Sequence, residues 1–182
     1  TVKLRSGSSP SDTSSGIELA RRLVAEAGVA AITFHPRSAK VQHKGVPDYE
    51  LAARLVETLP VPVILTGGLR TAAATRRAYE QTGAAAVMLA RGSLGNPWLF
   101  AELLGREPVP SRDAIVAEWL WVVDRAVEHL GEGRAVHYLR KFHPWYAGRI
   151  GGGKALHQEL QQAGSIAQTR ALIGVLATRV AA

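Results

Sequence analysis

Cysteine is absent from all 182 residues, so neither a disulfide nor a cysteine-ligated metal belongs to the chemistry open to this chain. Charge is sparse as well. Charged residues make up 20% against 47% apolar, a balance that excludes a disordered polyelectrolyte and suits one modest core plus an appendage. No apolar run approaches the roughly 20 residues that a membrane-spanning helix needs. The expected setting is cytoplasmic, with no membrane partner. Acidic residues run out toward the C-terminal end, where Glu159 alone faces Arg134, Arg140, Lys141, Arg149, Lys154, Arg170 and Arg179. Seven positive charges less one leave +6 of the total +7 in that stretch, the electrostatic footprint of a polyanion binder or of a solvated basic face.

What is present is organised by apolar runs that end in polar or glycine residues. TVKLR at the start, AAITFHPR at 30–37, VPVILTGG at 61–68 and the Val87-Met88-Leu89 run read as strands. Between them, Ile17–Ala27, Asp48–Thr58 and Thr71–Gln81 read as amphipathic helices, with Leu19, Leu23 and Val24 on one apolar stripe and Leu51, Leu55 and Val56 on another. Strand ends fall at Lys3, His35, Thr66 and Ala90, separated by 32, 31 and 24 residues, which is the spacing of βα units and predicts parallel strands. In a (β/α) barrel the chemistry gathers at the carboxyl ends of the strands, where Lys3, His35, Gly67, Gly68 and Arg91 would lie.

The segment VMLARGSLGNPW, residues 87–98, is the most pointed of these. Arg91-Gly92 leaves the sheet where backbone amides and a forked guanidinium can converge on a phosphate. Asn96 as N-cap, with Pro97 in the first helical position, predicts a helix whose positive end faces the same spot. An ordinary βα turn with a solvated arginine accounts for the same residues. Farther on, GREPVP at 105–110 breaks the helical pattern, and Ser111 opens a helix whose Trp119 and Trp121 read as packing rather than as base-stacking platforms. The run GRIGGGK at 148–154 imitates a P-loop, but Ala155 stands where magnesium needs a hydroxyl and no strand precedes Gly148, so it reads as a flexible link between basic helices.

Taken in order, VKLR, TFHPR, PVILTGG and ARGSLGNPW resemble the second half of the tRNA-dihydrouridine synthases, and LRKFHPWY at 139–146 is similar to the Arg-Lys-His-x-x-Trp-Tyr stretch of their helical domain. The resemblance covers nearly the whole chain. It implies an α/β fold: the second half of a (β/α)8 TIM barrel over residues 1–104, followed by a small helical tRNA-binding domain over 105–182. It implies FMN as cofactor, NADPH as reductant and tRNA as substrate, with uridine reduced to 5,6-dihydrouridine.

Roles follow by position. Lys3 corresponds to the lysine that approaches the flavin ring, where a fixed cation favours the reduced form. His35 corresponds to a histidine beside the FMN, and Arg37 to an arginine near the uridine pocket. Thr66-Gly67-Gly68 stands in place of Asn-Gly-Asp, and Ala90-Arg91 in place of Gly-Arg, the two turns that hold phosphate and ribityl tail. Arg140 and Lys141 are the implied tRNA contacts. The departures are specific: Thr66 and Gly68 lack an amide and a carboxylate, Ala90 adds a Cβ, and Phe142 replaces a histidine. The resemblance also implies a cysteine that protonates uridine C5. None is present, and with Thr1 lying inside a strand pattern, the expectation is that the cysteine and the first four strands lie upstream in a longer protein, so that the catalytic acid is not in this chain. The alternative is a truncated or degenerate relative that binds RNA without redox chemistry. No metal site is expected, and the oligomeric state stays open.

Overall fold

A computed structural model describes residues 1–12, 14–106 and 109–178. The chain divides into two compact units, Thr1–Ser93 and Leu94–Ala182.

The first unit alternates strand and helix: β1 Val2–Arg5, α1 Ser15–Ala27, β2 Ile32–His35, α2 Tyr49–Thr58, β3 Val63–Thr66, α3 Ala72–Thr82 and β4 Ala86–Met88. Its four strands form one parallel sheet in the order β1-β2-β3-β4, so each helix is the crossover between neighbouring strands. This is the expected α/β architecture, three consecutive βα units and a fourth strand, of the kind that build a (β/α)8 barrel. Register decides what each face carries. Lys3 pairs with Thr33 and Arg5 with His35, and Thr66 pairs with Met88, so the polar side chains share one face. The opposite set, Ile32, Phe34, Val63 and Leu65, is buried with Ala20, Leu51, Leu55 and Ala78 from the helices. The helices are capped as their sequences suggest: Asp48 accepts from Leu51 N at 2.9 Å and Thr71 from Ala74 N at 3.2 Å.

The second unit is helical: α4 Trp98–Leu103, α5 Arg112–Leu130, α6 Glu132–Leu139, α7 His143–Arg149, α8 Lys154–Gln162 and α9 Ile166–Thr178. Its core is built on α5. Trp119 is fully buried, stacks on Tyr146 with centroids 5.5 Å apart, and donates its Nε1–H to His143 Nδ1 at 3.1 Å. Burial holds the His143 imidazole down at about 4, with His157 and Arg140 adding to the shift. The glycine run 151–153 links α7 to α8, in keeping with the reading of GRIGGGK as a connection.

Two boundaries differ from expectation. Residues 94–104, assigned above to the barrel half, fall with the second unit, because Leu99 is buried, Trp98 packs against the helical core and Gly95 lies so close to Trp145 that a Cβ would sit 2.9 Å from its backbone. Asn96 is not the N-cap: α4 starts at Trp98, Pro97 occupies the cap, and Asn96 is buried with its carbonyl accepting from Leu99 N. Among the described residues, no helix is long and apolar enough to cross a membrane.

Candidate active site

The polar face of the sheet opens at its carboxyl end into a cavity of about 370 Å³. Strand residues Lys3, Arg5, His35, Thr66 and Met88 form its floor, and the turns after β3 and β4 supply Gly67, Gly68, Arg70, Ala90, Arg91 and Gly92. All seven residues expected around a cofactor, Lys3, His35, Thr66, Gly67, Gly68, Ala90 and Arg91, therefore line one space. Lys3 is not the strand end. Strand β1 continues two residues to Arg5, which faces His35 across the pair and leaves Lys3 one layer below.

The cavity is cationic. Lys3, Arg5, Arg70 and Arg91 border it, and no carboxylate does among the described residues. Arg5 is fixed by donating to the carbonyls of Ser38 at 3.1 Å and Gln42 at 2.8 Å. His35 is buried in this field, and burial together with Arg5, Lys3, Arg37 and Arg91 lowers its pKa to about 4. Its imidazole is therefore neutral at pH 7. Arg37 Nη1 lies 3.4 Å from His35 Nε2; a guanidinium only donates, which assigns Nε2 as the acceptor and places the ring proton on Nδ1.

Arg37 itself is not part of the cavity wall. It is buried behind His35 and donates to the Gly45 carbonyl, so Arg5 and Arg37 both grip the 38–45 loop from which His43 reaches the cavity.

Close packing explains the glycines. At Gly67, with φ +103°, a Cβ would lie 2.2 Å from His35 Cδ2; at Gly68, with φ +78°, it would lie 2.6 Å from the Tyr49 hydroxyl and 2.9 Å from Pro47 Cγ. The missing carboxylate at position 68 thus has a counterpart in space. Tyr49 fills the position and donates to the Gly67 carbonyl at 3.1 Å, which turns that peptide's oxygen away from a ligand. Thr66 Oγ1 is committed too, donating to the Met88 carbonyl at 2.9 Å. Main-chain amides and the Arg70 and Arg91 guanidinium groups are what this rim offers an anion. Sequence reading passed over Arg5, Tyr49 and Arg70. Arg5 alone carried a signal, standing two residues from Lys3 and hence on the same face of a strand.

Arg140 and Lys141 lie in the other unit and differ from each other. Arg140 is built into the helical core: Nη2 donates to the Ala163 carbonyl at 3.4 Å and its own carbonyl accepts from Gln161 Nε2 at 2.7 Å. Lys141 is exposed, its ammonium 3.7 Å from the centroid of the Tyr138 ring. Arg170 is paired with Asp124 at 2.6 Å, while Arg134, Arg149 and Lys154 are exposed. No group of three or more histidine or acidic residues suited to a metal occurs among the described residues.

Residues 1–179 match the dihydrouridine synthase family. The chain is 32% identical over 169 residues to a probable tRNA-dihydrouridine synthase of Mycobacterium tuberculosis, covering 88% of this chain and 42% of that protein. It is 30% identical over 178 residues to probable tRNA-dihydrouridine synthase 1 of Synechocystis, covering 95% and 50%. It is 28% identical over 173 residues to tRNA-dihydrouridine synthase B of Pseudomonas aeruginosa, covering 89% and 50%. The chain spans about half the length of these curated relatives. The family match takes in nearly every residue, and the chain belongs to the dihydrouridine synthase family.

Proposed function

We propose that this chain is the cofactor-phosphate and RNA-facing part of a flavoenzyme that reduces uridine to 5,6-dihydrouridine in tRNA, with FMN bound in the cavity and NADPH as the reductant. The observation that carries this reading is the cavity: four cations, no bordering carboxylate among the described residues, and two positive-φ glycines whose Cβ atoms would have no room. That donor set fits a phosphate monoester on a polar stem. Bound FMN supplies hydride-transfer chemistry.

The residues of this chain do the rest. Arg91 and the amides of the 66–68 and 90–92 turns hold the phosphate end. Lys3, one layer deeper, keeps a positive charge under the other end of the cavity. His35 is neutral, and with Nδ1 protonated it offers a directed donor without adding charge. Tyr49 and Arg5 keep the two rim loops in place. Arg37, expected near the uridine pocket, supports that pocket from behind through His35 and the 38–45 loop. The proton donor to uridine C5 is a cysteine supplied from outside these 182 residues, and the protein works in the cytoplasm on tRNA held partly by the exposed cations of the helical unit.

The test is a fluorescence titration of the whole protein with FMN, together with measurement of dihydrouridine in tRNA from cells with and without the gene. FMN binding and gene-dependent dihydrouridine are expected. RNA binding with neither would establish the degenerate, redox-silent reading, which the absence of cysteine and the Cβ of Ala90 favour.

A further inference from the structure

Between α5 and the α6–α7 corner lies a second cavity, of about 280 Å³, whose walls are Trp121, Val122, His129, Leu130, Tyr138 and Phe142. Trp121 was expected to be a packing residue. Trp119 meets that expectation with none of its surface exposed, whereas Trp121 is 55% exposed and Tyr138 41%. Helical spacing gives the reason: two residues along α5 rotate the side chain through about 200°, so burying one indole presents the other.

Cations stand over these rings. The Arg125 guanidinium, which is ion-paired with Glu128, lies 5.9 Å from the Trp121 centroid, and the Lys141 ammonium lies 3.7 Å from Tyr138 and 5.3 Å from Phe142. Tyr138 and Phe142 pack at 5.2 Å, tilted by 44°, and so form a fixed wall. An apolar peptide would gain nothing from these charges. A nucleotide uses both, its base lying on the aromatic faces and its phosphate beside the ammonium.

We infer that the Trp121–Tyr138–Phe142 groove is a docking site for an unpaired base of RNA, with Lys141 contacting the adjoining phosphate. The cavity has room for one or two bases and not for a duplex, whose bases are already stacked. This rests on the reading that the protein binds tRNA, and it adds that part of the grip is stacking, which salt does not screen.

The test compares the chain with its Trp121→Ala and Trp121→Phe variants, each bound to a single-stranded oligouridylate and to an RNA duplex of equal length. Stacking on an aromatic contributes enough that Trp121→Ala should weaken the single strand roughly fivefold to a hundredfold, while changing the duplex by less than about twofold. Trp121→Phe should keep most of the affinity. The single strand should also quench tryptophan emission in the native chain and much less in Trp121→Phe. Equal losses on single strand and duplex, or no loss on either, would overturn the proposal, as would a Trp121→Ala change that alters self-association alone and so assigns the groove to a second copy of the chain. A chain that binds neither RNA would overturn the tRNA reading as well, which separates the two failures.

Discussion

Arg91 is the residue on which the cofactor reading most depends. It stands at the cavity rim between Ala90 and Gly92, and its delocalised charge suits a phosphate bidentately. A charge-assisted hydrogen bond contributes about 1.5–3 kcal/mol, so Arg91→Ala should weaken FMN roughly tenfold to more than a hundredfold in a fluorescence titration. Arg91→Lys should recover part of this, because the charge remains and the fork does not. Unchanged affinity in Arg91→Ala would move the phosphate elsewhere. His35 and His143 make a different prediction. Both are lowered from 6.5 to about 4, each chiefly by burial, while the unfolded chain protonates them near the ordinary value. The unfolded state therefore binds more protons as pH falls, and stability is at its full value above 6.5 and declines between 6.5 and about 4. Protonating His143 Nδ1 also removes the acceptor for Trp119 Nε1. Urea midpoints measured from pH 7 to 4 should fall, and His143→Gln, which can still accept that hydrogen bond, should flatten the fall without the same loss at pH 7.

At the scale of elements, much was legible from spacing. Apolar runs at βα separations were enough to place four parallel strands, since strands buried by crossover helices on one face show both the period and the interval. Ser111 was legible as a cap, and it accepts from Ala114 N at 3.1 Å. Ser111→Ala should cost about 1 kcal/mol and lower the melting temperature of the helical unit by roughly 4–8 °C, with FMN binding unchanged. The failures share a physical cause. Asn96-Pro97 has the composition of a helix start, yet burial of Asn96 and the contact of Gly95 with Trp145 overrode the local preference and shifted the boundary of the first unit to Ser93. Tyr49 was illegible as a site residue because its role is to fill the space over Gly68, a contact between residues 19 positions apart that no local pattern encodes. Arg37 reads as a binding residue by its place after His35; its burial and its bond to the Gly45 carbonyl appear only once the 38–45 loop has a path.

At the scale of the whole molecule, positive charge is concentrated in two places of different character, an enclosed set around the cavity of the first unit and an exposed set on the helical unit. Net charge alone does not tell these apart, and neither did the run of bases after Arg134. Arg140 and Lys141 are neighbours in sequence and were paired as tRNA contacts, yet one lends its guanidinium to the Ala163 carbonyl while the other stands in solvent over Tyr138. They should therefore separate in one experiment. Each phosphate neutralised releases a counterion, so Lys141→Ala should weaken tRNA binding and reduce the slope of log affinity against log salt by roughly 0.7–0.9. Its melting temperature should fall by only about 2–4 °C if the exposed cation–π contact contributes about 0.5 kcal/mol. Arg140→Ala should leave the slope as it was and lower the melting temperature through the lost guanidinium bond to the Ala163 carbonyl in the α8–α9 turn. Affinities at several salt concentrations and a thermal melt for both variants decide the matter. A slope that falls equally in both would put Arg140 on the RNA after all, and a slope unchanged in both would make the basic stretch a solvated face, leaving the RNA grip to stacking and to residues outside this chain.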